Sequence, residues 1–134
     1  MGGSDWPVDP LRPFNQVATA IDRTEYDAVP RPLNRAEGIG RAAALAMHTR
    51  GSAFELHQGR TGTVAPGKVA DLVVVDRDLQ KVGPRSIRRA SVRGTLIAGK
   101  VVYDADSAAG RTAARRGTAL AAVAGRRSPH SCCG

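Results

Sequence analysis

Aromatic side chains are scarce in this sequence. Trp6, Phe14, Tyr26, Phe54 and Tyr103 make up 4% of it, so any core must be built mainly from Ala, Val and Leu. With 134 residues there is room for one domain and one modest core. Long apolar runs are missing as well, and nothing approaches the roughly 20 residues that a membrane span needs. Cysteine is limited to Cys132 and Cys133. Adjacent cysteines bridge each other poorly and have no other partner here, which excludes a disulfide framework and favours a reducing compartment, the cytoplasm. The first residues, Met1-Gly-Gly-Ser-Asp-Trp, lack a basic region leading into an apolar stretch, so no secretory signal is expected.

Acidic charge is absent from residues 111–134, which carry five Arg. Residues 1–110 hold 15 Lys/Arg against 12 Asp/Glu, so most of the formal +8 belongs to the tail. The body of the chain is only mildly basic. The tail is rich in Ala, Arg, Gly and Ser with little amphipathic pattern, which predicts disorder from about residue 106. Clustered arginine attracts phosphates. A non-catalytic module that uses this tail on nucleic acid or acidic partners is therefore the alternative class of function. Five Arg without interleaved aromatics make a weak footprint for it, and salt-sensitive binding lost on truncating 111–134 would support it.

What is present falls into two styles. Leu11, Phe14, Val17, Ala18 and Ile21 recur at spacings of three and four, which predicts a helix opening near Asp9-Pro10. Pro13 fits its first turn. The prolines of Val29-Pro-Arg-Pro32 impose an extended linker. Asn34-Arg-Ala-Glu37 reads as a capping box for a helix over 35–48, although Gly38 and Gly40 weaken it by about 1 kcal/mol each relative to Ala. Ser52-Ala-Phe-Glu55 repeats the cap signal for a short helix to His57. From Gly59 the chain changes to turns and strands. Pro66-Gly67 suits the centre of a type II turn. Residues 70–76, 90–97 and 100–103 read as strands, the last two joined as a hairpin at Ala98-Gly99. The fold class expected from this order is α+β.

Two stretches are candidates for chemistry. In Gly3-Ser-Asp-Trp-Pro-Val8, a carboxylate sits on a shaped turn beside apolar neighbours. Asp5 there could coordinate a metal or act as a base, while on the residues alone an ordinary turn or cap role is the better fit. The run Gly62-Thr-Val-Ala-Pro-Gly-Lys-Val-Ala-Asp-Leu-Val-Val-Val-Asp76 has the glycines and lysine of a phosphate loop in the wrong spacing. Val69 follows Gly67-Lys68 where Ser or Thr is required, and a strand follows where a helix is needed.

Taken in order, Gly3-Ser-Asp-Trp-Pro-Val8, Arg23 after a helix, the helix from Asn34 to Gly51, the Pro66-Gly-Lys-x-Ala-Asp-Leu-Val run and the hairpin ending Gly99-Lys-Val-Val-Tyr103 resemble the C-terminal portion of amidohydrolase family 3. This is the branch of the metal-dependent hydrolases that includes N-substituted formamide deformylase-like enzymes. The resemblance covers roughly residues 2–105. The Pro-Gly-Lys run is common to many amidohydrolase branches, and the Gly-Ser-Asp-Trp-Pro signature narrows the match.

The resemblance implies that residues 1–58 are the closing end of a (β/α)8 barrel. It implies that 59–105 are the C-terminal strands of a small composite β-sandwich, with 106–134 as the tail. It implies a divalent metal, zinc, at the barrel mouth. Asp5 corresponds to the aspartate after the eighth strand, which binds that metal and takes the proton of the attacking water. The substrate would be a small amide-type molecule, cleaved at a carbon–nitrogen bond that is not a peptide bond. Lys68 and Asp71 would be conformational parts of the sandwich, and Trp6 a packing anchor. This chain departs from the family pattern in its histidines: His48, His57 and His130 include no His-x-His pair. A catalytic zinc takes three protein ligands, so a truncated chain, inactive and metal-free by itself, is expected. His48 and His57 read as helix-end residues. His130-Ser-Cys-Cys133 reads as tail, although those residue types can bind soft metals. Exposed sheet edges and unpartnered helix faces predict self-association, and no membrane partner is expected.

Overall fold

The computed structural model describes residues 2–3, 11–24, 32–109 and 111–112. Helix α1, Pro13–Asp22, begins with proline at its first turn, where the missing N–H costs nothing. It ends at Arg23 in the left-handed region (φ 57°), whose N–H donates to the Thr19 carbonyl at 2.8 Å. The proposed opening at Asp9-Pro10 lies outside the described residues. The expected apolar face is the buried one: Val17 and Ala18 are almost fully enclosed, with Phe14 and Ile21 packed beside them.

The capping box at Asn34 does not form. Asn34 is left-handed and caps nothing with its side chain, and Arg35–Glu37 makes only a single 3-10 turn. Glu37 instead accepts a hydrogen bond from Arg23 at 3.2 Å. The chain then runs extended through Gly38 and Gly40, with the Ile39 N–H bonded to the Ala20 carbonyl at 2.8 Å. Tying this segment to α1 outweighs the local cap preference. Helix α2, Arg41–Met47, therefore starts six residues later than the cap signal implied. Helix α3, Arg50–Glu55, includes Ser52 within its first turns rather than as a cap, and the Ser52 hydroxyl donates to the Met47 carbonyl.

Strands β1 (Leu72–Val75), β2 (Val92–Ile97) and β3 (Lys100–Asp104) form one antiparallel sheet in that order. Leu72 faces Leu96, and Thr95 faces Tyr103, with irregularities between Val74 and Val75 and between Thr95 and Leu96. Between β1 and β2 lies a helix that the sequence reading missed, α4, Pro84–Arg88. It is the keystone of the small core. Ile87 on α4 is fully buried against Val17, Ala18 and Ala44, with Leu45, Leu79 and Val82 around them. The sheet itself contributes little to this cluster, and many of its valines remain exposed.

Candidate functional site

Asp5, the proposed metal-binding and proton-accepting carboxylate, lies outside the described residues, as do Trp6, His130, Cys132 and Cys133. The approach to the Asp5 stretch is described at Gly2. A side chain added at Gly2 would meet His48 Nε2 at 2.8 Å and Met47 Cε at 3.1 Å, so the chain passes directly over the end of α2. His48 is the C-cap residue of α2, as the sequence suggested. Its ring makes no hydrogen bond to the helix carbonyls, and Nε2 is buried without a partner among the described residues. Burial pulls its pKa below 6.5 and favours the neutral ring. His57, left-handed at φ 55°, is exposed beyond the end of α3.

Among the described residues no three His, Cys, Asp or Glu side chains gather in a way that could hold a metal ion. The donor set that these residues present does not fit a catalytic zinc.

The motif residues of the Pro-Gly-Lys run act on the backbone. Lys68 N–H donates to the Ala65 carbonyl and Gly67 has φ 79°, closing the turn expected at Pro66-Gly67. The Lys68 ammonium donates to the Gly59 carbonyl at 2.5 Å. Asp71 Oδ1 accepts the Ala98 N–H at 2.8 Å, and the Ala70 carbonyl accepts the Gly99 N–H at 3.0 Å. Ala98 and Gly99 both have positive φ, the requirement of a two-residue hairpin turn. Ala98 pays about 1 kcal/mol for that conformation, and the Asp71 carboxylate is placed to offset it. At the far end of β1, Asp76 accepts the Ser91 N–H and a two-pronged contact from Arg77, which together hold its pKa far below the usual range.

One polar cluster among the described residues was not foreseen. Arg88 on α4 donates to both oxygens of Asp22 at the end of α1 (2.6 and 2.8 Å), and also to the Thr24 hydroxyl and carbonyl and to Thr19 Oγ1. Burial alone would raise the Asp22 pKa. Hydrogen bonds from Arg88 and Thr24 outweigh it and hold Asp22 at about 2. Nothing in the sequence links positions 66 residues apart. The only local hint was Asp22-x-Thr24, whose backbone N–H turns back to the Asp22 side chain. Beside the cluster opens a cleft of about 490 Å³ lined by Arg12, Arg85, Arg88, Arg89, Ala90 and Ser91.

A profile of the amidohydrolase family matches residues 1–103, and the chain belongs to that family. Among curated proteins it is similar to "Putative amidohydrolase YtcJ" of Bacillus subtilis (strain 168), at 29% identity over 105 residues, covering 77% of this chain and 20% of that protein. It is also similar to "Protein LONG AFTER FAR-RED 3" of Arabidopsis thaliana, at 30% identity over 103 residues, covering 75% of this chain and 17% of that protein. The chain thus spans a fifth or less of the relatives it matches. No solved structure matches it. Among the described residues, no helix is long and apolar enough to cross a membrane.

Proposed function

We propose that this chain supplies the C-terminal part of a metal-dependent amidohydrolase that cleaves carbon–nitrogen bonds other than peptide bonds in small molecules, N-substituted formamides among them. In this reading Asp5 is the metal-binding and proton-accepting carboxylate. The 134 residues alone neither hold the metal nor turn over substrate. Helices α1 to α3 close a (β/α)8 barrel, and β1 to β3 are part of a composite β-sandwich in the cytoplasm. The carrying observation is the family match over residues 1–103, which includes Gly3-Ser-Asp-Trp-Pro. The sheet supports the sandwich reading: Val73, Val101 and Val102 are more than half exposed, as strands are when the layer that covers them is absent. Exposed valine on both edge strands also supports association of the isolated chain with itself.

The test is a fusion in which this chain replaces the matching fifth of the Bacillus relative, assayed with zinc on a formamide or simple amide first shown to be a substrate of the intact relative. The fusion should cleave it, and Asp5→Asn should lower kcat by about 10²–10⁴-fold. A fusion whose Asn variant keeps full activity would remove Asp5 from the reaction.

A further inference from the structure

We propose that His48 is a positioning residue for the Asp5 carboxylate, holding the stretch that carries it through a ring contact at Gly2. The proposal rests on the hydrolase reading, in which Asp5 accepts the proton of the attacking water. Gly2 stands three residues before Asp5. A Cβ at Gly2 would lie 2.8 Å from His48 Nε2, 3.0 Å from its Cε1 and 3.1 Å from Met47 Cε. Glycine is what lets the backbone come this close to the ring. At Gly3 the surrounding space is open, so among the described residues of the stretch the contact is made at Gly2.

A histidine at a helix end ordinarily serves the last carbonyls. Here other groups serve them. The Leu45 carbonyl accepts the His48 N–H and the Thr49 hydroxyl, the Ala46 carbonyl accepts the Thr49 N–H, and the Met47 carbonyl accepts the Ser52 hydroxyl at 2.8 Å. The same bonds fix the junction of α2 and α3, where a Cβ at Gly51 would already lie 3.0 Å from the Ala46 carbonyl oxygen. The ring therefore stands on a rigid base with no capping duty. Its Nε2 is buried without a hydrogen-bond partner among the described residues. An apolar side chain could fill this place with no nitrogen left unpaired, so packing alone does not account for histidine. A catalytic carboxylate needs placement to within about 0.5 Å. Gly2 and Gly3 leave the backbone before Asp5 permissive, and the His48 ring restrains it from the end of a helix.

Proton NMR of the full chain reads the contact, and the fusion with the Bacillus relative reads its consequence. In the chain, G2A should shift the imidazole signals of His48 and leave those of the exposed His57 in place. In the fusion, G2A and H48A should each lower kcat by at least about tenfold, since misplacing a reacting group by ~1 Å costs on the order of 100-fold. KM should stay within about twofold, because the lost restraint acts on the chemical step and not on substrate binding. G2A/H48A should lose less than the product of the two single losses, as the new methyl enters space that the ring has left. H57N should keep the parent rate. Circular dichroism should show G2A folded, which keeps the test open if H48A unfolds. An impaired D5N fusion beside G2A and H48A fusions that work as the parent overturns this proposal alone. A D5N fusion with full activity overturns the hydrolase reading and this proposal with it. Unmoved His48 signals in G2A, or single losses that multiply in full in the double variant, also overturn it.

Discussion

Arg88 and Asp22 join the first helix of the described chain to the helix that precedes β2, and their contribution can be measured. Removing the guanidinium leaves a half-enclosed carboxylate short of two charge-assisted hydrogen bonds. Arg88→Ala should cost about 2–3 kcal/mol by denaturant titration, and Arg88→Lys somewhat less. The pH dependence has a definite sign. Asp22 has a folded pKa of about 2 against 3.8 for the free side chain. Its stabilisation, on the order of 2 kcal/mol, is therefore fully present above pH 4 and lost as pH falls through 3.8 toward 2. Asp22→Asn should remove that acid-sensitive portion, and an unchanged acid limb would show that the pair does not form. This cluster was illegible in the sequence because its members interact only after α1 and α4 have packed. Asp71, by contrast, was marked by the motif that surrounds it, and the structure shows the backbone N–H that it serves.

Elements were legible where local chemistry decides and not where packing does. The three strands, the Pro66-Gly67 turn and the Ala98-Gly99 hairpin follow from β-branched runs bounded by residues suited to positive φ. The helix at Asn34 failed because a tertiary hydrogen bond between Ile39 and Ala20 competes with the cap. Helix α4 was missed because five residues carry too little periodicity. Gly83-Pro84 and the lone Ile87 were the only signals. That isoleucine is the largest fully buried side chain among the described residues, so Ile87→Ala should cost about 2–5 kcal/mol through lost burial and the cavity left behind. At Gly62, φ is 79° and an added Cβ would lie 2.6 Å from Ala53 Cβ and 2.9 Å from Arg50 Cα. Gly62→Ala should therefore destabilise by more than the roughly 1 kcal/mol of backbone strain alone. A neutral result in thermal melts would mean that α3 and the loop at Gly62 are not in contact.

At the scale of the molecule, a small helical core is set beside a sheet that it barely covers. Phe54, Val64 and Val101 are among the most exposed apolar side chains, at 83%, 87% and 66%. Sedimentation should show concentration-dependent association, reduced by Val73→Lys together with Val101→Lys, which place charge on the two edge strands. The family assignment was legible because the Gly3-Ser-Asp-Trp-Pro stretch and the Pro66-Gly67-Lys68 run stand in order within the matched residues 1–103. The substrate was not, because neither motif says what molecule a site beside it would hold. The most direct measurement is metal content and amide hydrolysis of the purified 134-residue chain supplied with zinc. We predict no stoichiometric zinc and no turnover. Tight zinc binding with turnover would contradict the account and would require that these residues, alone or as paired copies, complete a metal site.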